Sequence, residues 1–353
     1  MRIAVALLVL ACGARWARAS DGRTIYQSNC AACHGADGRG GPSLEASVPV
    51  QPPDFTDCKF ATPEPDADWL ATTHLGGNAR GFDRRMPAFG VVLRDDEIRA
   101  AVEYMRRFCT DRSWPRGELN LARPFFTEKA FPEDEAVIQE SASRSELTSE
   151  LFYERRFGAR WQVELIAPVI YSEQMTGGWA GGIGDLAFAV KRVLYASLDT
   201  GSIVSAAAEV VTPTGRADRG FGGGTMVFEG TMMAAQLLPH RAFVQAQVGG
   251  GVAYDRAFPD EVFARVALGA PVVPVRFGRT FSPMVEVIAA RELDSGAATE
   301  VDVAPELQIT LSTRQHVRAL VGVQVPVTER SRDTAGLVYV LWDIADGGLL
   351  EGW

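Results

Sequence analysis

The chain has 353 residues, more than the ~100–200 usual for one domain, so two folding units are expected. Hydrophobic residues at 47% and charged residues at 22% exclude a disordered chain. A formal charge of −9 leaves no electrostatic footprint for nucleic acid.

Residues 1–19 read as a secretory signal: Arg2 supplies the positive start, Ile3 to Leu10 the apolar stretch, and Ala17-Arg18-Ala19 the small-residue cleavage site before Ser20. The apolar stretch is shorter than the ~20 residues a membrane-spanning helix requires, so export to the periplasm is predicted. A competing reading makes Val9-Leu10-Ala11-Cys12 a lipoprotein signal with an acylated Cys12.

Behind a helix start at Asp21 comes Cys30-Ala31-Ala32-Cys33-His34. Two thiols one helical turn apart can add to the two vinyl groups of a haem, and the adjoining imidazole can reach its iron. A zinc site would need a second ligand pair, for which Cys58, Cys109 and His74 offer no recognisable spacing. A thioredoxin-like motif would need a βαβ pattern that is missing. Cys58 and Cys109 are then left as an even pair in an oxidising compartment, and they are predicted to form a disulfide.

Met86 lies 52 residues after His34, enough chain to wrap a haem, and Pro87 fixes an extended loop beside it. A thioether is a soft ligand that favours ferrous iron. The bland alternative is a core methionine, and His74, in the helical stretch Asp66 to Leu75, is the other candidate sixth ligand. Arg80, Arg84 and Arg85 precede Met86, where they suit haem carboxylates, an acidic partner, or simply a solvated loop. Residues 94–109 gather Ile98, Ala101, Val102, Met105 and Phe108 on one helical stripe, with Asp95 expected to cap it.

Residues 20–112 thus resemble a class I mono-haem cytochrome c. The resemblance is carried by Tyr26, Cys30, Cys33, His34-Gly35, Gly38, Gly40-Gly41-Pro42, Met86-Pro87-Ala88-Phe89 and Leu93 to Phe108. It implies an all-α fold and one covalent haem c. It also implies His34 and Met86 as axial iron ligands and Pro42 as the residue whose neighbourhood lets a backbone carbonyl hold the His34 ring.

Residues 113–145, with Pro115, Pro124 and Pro132, read as a linker able to donate one early strand. From 146 to 353 the pattern has period two. Val301, Val303, Pro305, Leu307 and Ile309 alternate with Asp302, Ala304, Glu306, Gln308 and Thr310, and Trp161 to Tyr171 and Val317 to Val327 behave alike. Turn clusters such as Asp199-Thr200-Gly201 and Asp294-Ser295-Gly296 separate the segments, predicting an antiparallel up-and-down barrel of about 10–12 strands. Alternation alone leaves open whether the apolar faces point inward to a core or outward to lipid. The export signal, aromatic strand ends and the terminal Trp353 favour lipid. Arg192 interrupts one apolar face, and there it would have to snorkel. Gly181-Gly182-Ile183-Gly184-Asp185-Leu186 resembles a run in small outer-membrane channel barrels of bacterial aromatic-compound degradation clusters.

No catalytic constellation stands in the β-region, where His240 and His316 are read as surface residues. The expectation is a non-enzymatic electron carrier working with a redox protein partner, held in outer-membrane lipid with its haem domain in the periplasm. Two alternatives are kept. One is a small outer-membrane channel with a cytochrome gate or redox sensor. The other is the electron-accepting subunit of a periplasmic oxidoreductase with a soluble β docking domain.

Overall fold

The computed structural model describes residues 21–40, 52–175, 177–329 and 331–353. The predicted signal, Cys12 and Pro42 lie outside them. An N-terminal helical region of five helices precedes a closed antiparallel barrel: α1 Gly22–Asn29, α2 Ala31–His34, α3 Cys58–Ala61, α4 Asp66–Leu75 and α5 Asp95–Met105. No helix among the described residues is long and apolar enough to cross a membrane.

The helices form where the sequence has caps and apolar stripes. Asp21 accepts from the backbone N–H of Arg23 at 3.2 Å and from the Thr24 hydroxyl at 2.6 Å, starting α1. At α5 the expected capping by Asp95 is not what is found. Arg94 occupies the N-cap and has no acceptor to offer, so Glu97 reaches back to its N–H at 2.9 Å. α5 buries Ile98, Ala101, Val102 and Met105, and Tyr26 of α1 packs on Tyr104 and Phe108 with ring centroids 5.4 and 5.3 Å away. A Cβ on Gly22 would strike the backbone of Ala100, so only glycine lets α1 lie this close to α5.

The strands are β1 Glu135–Ala142, β2 Glu146–Phe157, β3 Trp161–Glu173, β4 Trp179–Ile183, β5 Leu186–Ser197, β6 Ser202–Thr212, β7 Val227–Leu237, β8 Phe243–Ala253, β9 Glu261–Gly269, β10 Phe281–Glu292, β11 Glu300–Thr310, β12 Val317–Pro326 and β13 Ala335–Asp343. Each pairs with its chain neighbour, and β1 closes the ring by pairing with β13. β3 pairs with β5 through Trp161–Ile166 and with β4 through Val169–Glu173, so β4 and β5 make one stave and the barrel has twelve. The barrel begins at Glu135, inside the segment read as a linker.

Its polarity is inside out. Val285, Val287, Val321, Val323, Val338 and Val340 are exposed on the outer face. Gln162, Glu164, Gln245, Glu286, Asp302, Glu306 and Gln308 are buried on the inner one. The alternation is therefore that of a barrel with an apolar outer face and a polar interior. Arg192 keeps its place on the outer face by lying over the Trp161 ring, 4.9 Å from its centroid. His316 departs from expectation: it is buried, with one ring nitrogen 3.0 Å from the Ser312 hydroxyl and the other 3.0 Å from the carbonyl of Gly348.

Residues 119–134 do not span a gap in solvent. They climb into the lumen and return, filling the half nearer the helical region. Leu119, Leu121, Phe125 and Phe131 pack on Val137, Phe152, Ile203, Phe243, Leu320 and Leu341. The wall supplies hydrogen-bond partners for many of their buried polar groups. Glu286 accepts from the backbone N–H groups of Phe126 (2.9 Å) and Thr127 (2.7 Å), and Glu306 accepts from that of Phe125 (3.2 Å). Arg123 donates to Glu135 (3.0 Å) and Glu154 (2.6 Å), and the carbonyl of Ala130 accepts from Ser205. Because the peptide re-emerges at the mouth it entered, the chain continues directly into β1.

Candidate haem site

α1 ends where Cys30 turns the chain into α2, which carries Cys33 and His34. The Gly35 to Gly40 turn folds back so that the N–H of Gly40 donates to the carbonyl of His34 at 2.9 Å. The Tyr26 hydroxyl donates to the carbonyl of Gly35 at 2.7 Å. The N–H of Phe55 donates to the carbonyl of Gly38 at 2.8 Å, and this brings the Phe55 ring onto the His34 ring, 4.8 Å between centroids and 23° from parallel.

Met86 comes from another element. The loop before it is held against the end of α4 by the N–H of Gly77 donating to the carbonyl of Met86 at 3.1 Å. A Cβ on Gly77 would meet the carbonyl oxygen of Asp83 at 2.3 Å, so this approach requires glycine. The result is one cavity of about 490 Å³ onto which Cys30, Cys33, His34 and Met86 all open, walled by apolar groups including Pro52, Pro53, Phe55, Trp69, Pro87 and Phe89. His74, the other candidate ligand, is not among its lining; its ring sits 3.5 Å from Asp95 and stacks near Phe277. Cys58 and Cys109 form the expected disulfide, with Cα atoms 5.1 Å apart, tying the start of α3 to the chain after α5.

The electrostatics suit a flat, apolar, iron-bearing ligand. Burial pushes the His34 imidazole down to about 4, so its nitrogens are neutral, and Nδ1 is buried with no hydrogen-bond partner among the described residues. Burial, with Cys33 beside it, pushes the Cys30 thiol up to about 11. A cavity with two thiols, an orphaned imidazole and a thioether on apolar walls fits a haem c. Among the described residues no group of three or more His, Cys, Asp or Glu could hold a bare metal ion instead.

The three arginines before Met86 part company. Arg85 pairs with Asp83 through two contacts of 2.8 and 2.6 Å and is exposed, as is Arg84. Arg80 is buried, lines the cavity, donates to the carbonyl of Thr313 on the barrel at 3.0 Å and lies 3.3 Å from Asp68, and its Nε has no hydrogen-bond partner among the described residues. Arg314, in the turn between β11 and β12, and Asp346, in the C-terminal tail, also line the cavity. Arg314 donates to the carbonyl of Gly81 and stacks over Phe82 at 4.3 Å. Sequence reasoning missed these two, as it missed Glu64 and Asp68 on the same wall. No local spacing connects residue 314 with residue 34.

At this seam burial pushes the Glu64 and Asp346 carboxyls well above the usual range, helped at Glu64 by the charge of Asp346 and at Asp346 by that of Asp343.

Residues 17–105 match the family model described as cytochrome c oxidase, cbb3-type, subunit III. No curated protein matches the chain. Among solved structures, an outer membrane channel from Pseudomonas putida F1 is similar at 11% identity, covering 63% of this chain and 99% of that one, with a TM-score of 0.46. NanC porin is similar at 7% identity over 59% and 98% (TM-score 0.42), and KdgM porin at 8% over 59% and 98% (TM-score 0.39).

Proposed function

We propose that this chain is a periplasmic electron carrier, not an enzyme, with one covalently bound haem c, held at the outer membrane by its own barrel. The observation that carries the reading is the convergence of Cys30, Cys33, His34 and Met86 on one apolar cavity. Each cysteine would add its S–H across one vinyl C=C, sulfur bonding one carbon and hydrogen the other. His34, neutral through burial, would present a nitrogen lone pair to the iron, and the resemblance gives the neighbourhood of Pro42 the carbonyl that would receive the other ring N–H. Met86 would present its thioether as the sixth ligand. Bound in this way, haem supplies a one-electron ferric/ferrous couple. The apolar wall keeps water from the iron, which favours electron transfer over ligand chemistry.

The outward apolar face of the barrel supports lipid as its surroundings and argues against a soluble docking module. Both ends of the barrel chain, Glu135 and Asp343, lie at the mouth that carries the haem domain. At that mouth the connections 158–160, 198–201, 238–242 and 311–316 are short, with 270–280 the exception, while the other mouth carries 213–226, 254–260 and 293–299 beside the short 143–145 turn. Short turns mark the periplasmic end of such barrels, which supports a haem domain in the periplasm facing a redox protein partner.

The test is a reversible redox titration of the purified chain. A reduced haem c spectrum that survives acidified acetone and titrates as a single one-electron couple is expected. Porphyrin released into the acetone, or a couple needing two electrons, would overturn the reading.

A further inference from the structure

A twelve-strand wall encloses more space than its own inner side chains fill. Barrels of about eight strands are just filled by side chains, and those of sixteen or more leave a water channel. Here the space is taken up by residues 119–134, and the wall is built to receive them. Glu286 and Glu306 turn their carboxylates to the backbone N–H groups of Phe125, Phe126 and Thr127. Glu154 receives Arg123, and Gln247 receives the N–H of Glu128. Beyond the tip of this peptide the inner face of β8 runs to small residues, Gly249, Gly251 and Ala253. Half-buried Glu150, Glu209 and Glu229 stand there within electrostatic reach of one another and of Glu128.

We propose that the barrel is a latent pore for small cations, shut by residues 119–134 acting as a plug. The lumen carboxylates set the sign. When the plug leaves, Glu154 loses its neutralising Arg123 while Glu286 and Glu306 lose uncharged backbone donors and turn to water; with Glu150, Glu209 and Glu229 already facing the open half, acids outnumber the remaining wall bases Arg156, Lys191, Arg265 and Arg318. A passage lined by carboxylates attracts cations and repels anions. Because the plug enters and leaves by one mouth, it can withdraw without unpairing any strand. This inference rests on the outer-membrane reading of the barrel.

The experiment is single-channel recording in planar bilayers under a potassium chloride gradient. It uses the full native chain, a variant whose residues 120–131 are replaced by a short Gly/Ser bridge, and the double variant Arg123→Met, Glu286→Gln, which loosens the plug in place. The native chain is expected to show no resolvable steps. The bridged variant should show steady steps reversing toward the potassium equilibrium potential, and the double variant brief ones. Steady conduction by the native chain would overturn the plug. Both variants staying silent while running as heat-modifiable barrels would overturn the pore. Reversal toward the chloride potential would overturn the selectivity. If the native chain neither enters bilayers nor changes mobility on heating, the membrane reading falls first and takes this proposal with it.

Discussion

Of the eight methionines two, Met86 and Met105, line the cavity with His34 and both thiols; Met105 is a buried core residue of α5, whereas Met86 stands on the loop beside Pro87. Replacing Met86 with alanine should leave the porphyrin attached and remove the sixth ligand. The expected outcome is a weaker low-spin spectrum and a potential lowered by part of the ~0.8 V that axial ligand choice spans. An unchanged spectrum would assign the iron to another side chain. This site was legible because Cys30-Ala31-Ala32-Cys33-His34 and Met86-Pro87 are local signals, each a few residues long. Glu64, Asp68, Arg314 and Asp346 were not legible as cavity residues, since no local spacing connects them with the haem-binding run. Glu64 has a consequence for pH. Its carboxyl is held well above its ordinary 4.5 by burial and by Asp346, Asp343 and Asp68, so the folded state favours its protonated form. The stability it contributes is present below about pH 4.5 and is lost as pH rises through its folded value. Thermal unfolding of the haem domain, followed in the Soret region, should therefore move to lower temperature from pH 5 to pH 8. Glu64→Gln should flatten that slope, and an unaltered slope would remove Glu64 from the seam.

Among the elements, α4 and α5 and the strands were read correctly in kind because each carries its own period, 3.6 or 2. Period two does not reveal which face is wet. The structure settles this by burying Glu286, Glu306 and Gln308 and exposing the valines. Residues 113–145 read as a linker able to donate one strand, and their prolines and charges hide that residues 119–134 pack inside the barrel. The signal for that packing is the surplus of apolar side chains, Leu119, Leu121, Phe125, Phe126 and Phe131, more than a solvated connection needs. The Gly181–Leu186 run also gains a physical account. Asp185 accepts from the N–H groups of Gly215 (2.8 Å) and Gly223 (2.7 Å), pinning the 213–226 loop, and Phe221 packs where a Cβ on Gly182 would stand. The disulfide belongs to this scale as well. It closes a loop of 51 residues, and by chain entropy its removal should cost about 4 kcal/mol. Chemical denaturation of Cys58→Ala, Cys109→Ala against the native chain measures this. A difference below about 1 kcal/mol would mean that haem and packing alone hold α3 to α5.

At the scale of the whole molecule the two units are not beads on a string. Arg276 pairs with Asp95 at 2.9 Å, Gln315 donates to Asp68 at 3.1 Å, Arg80 reaches the carbonyl of Thr313, and the barrel itself finishes the haem cavity. On the proposed function this joins an electron-carrying site to a wall suited to lipid, with residues 119–134 running from one to the other. The most direct test is a haem-stained gel of isolated outer membranes, loaded with and without boiling. One haem-positive band, confined to that fraction and changing mobility on boiling, is the result predicted. Haem staining found only in the soluble periplasm, or in a band indifferent to heat, would contradict the account.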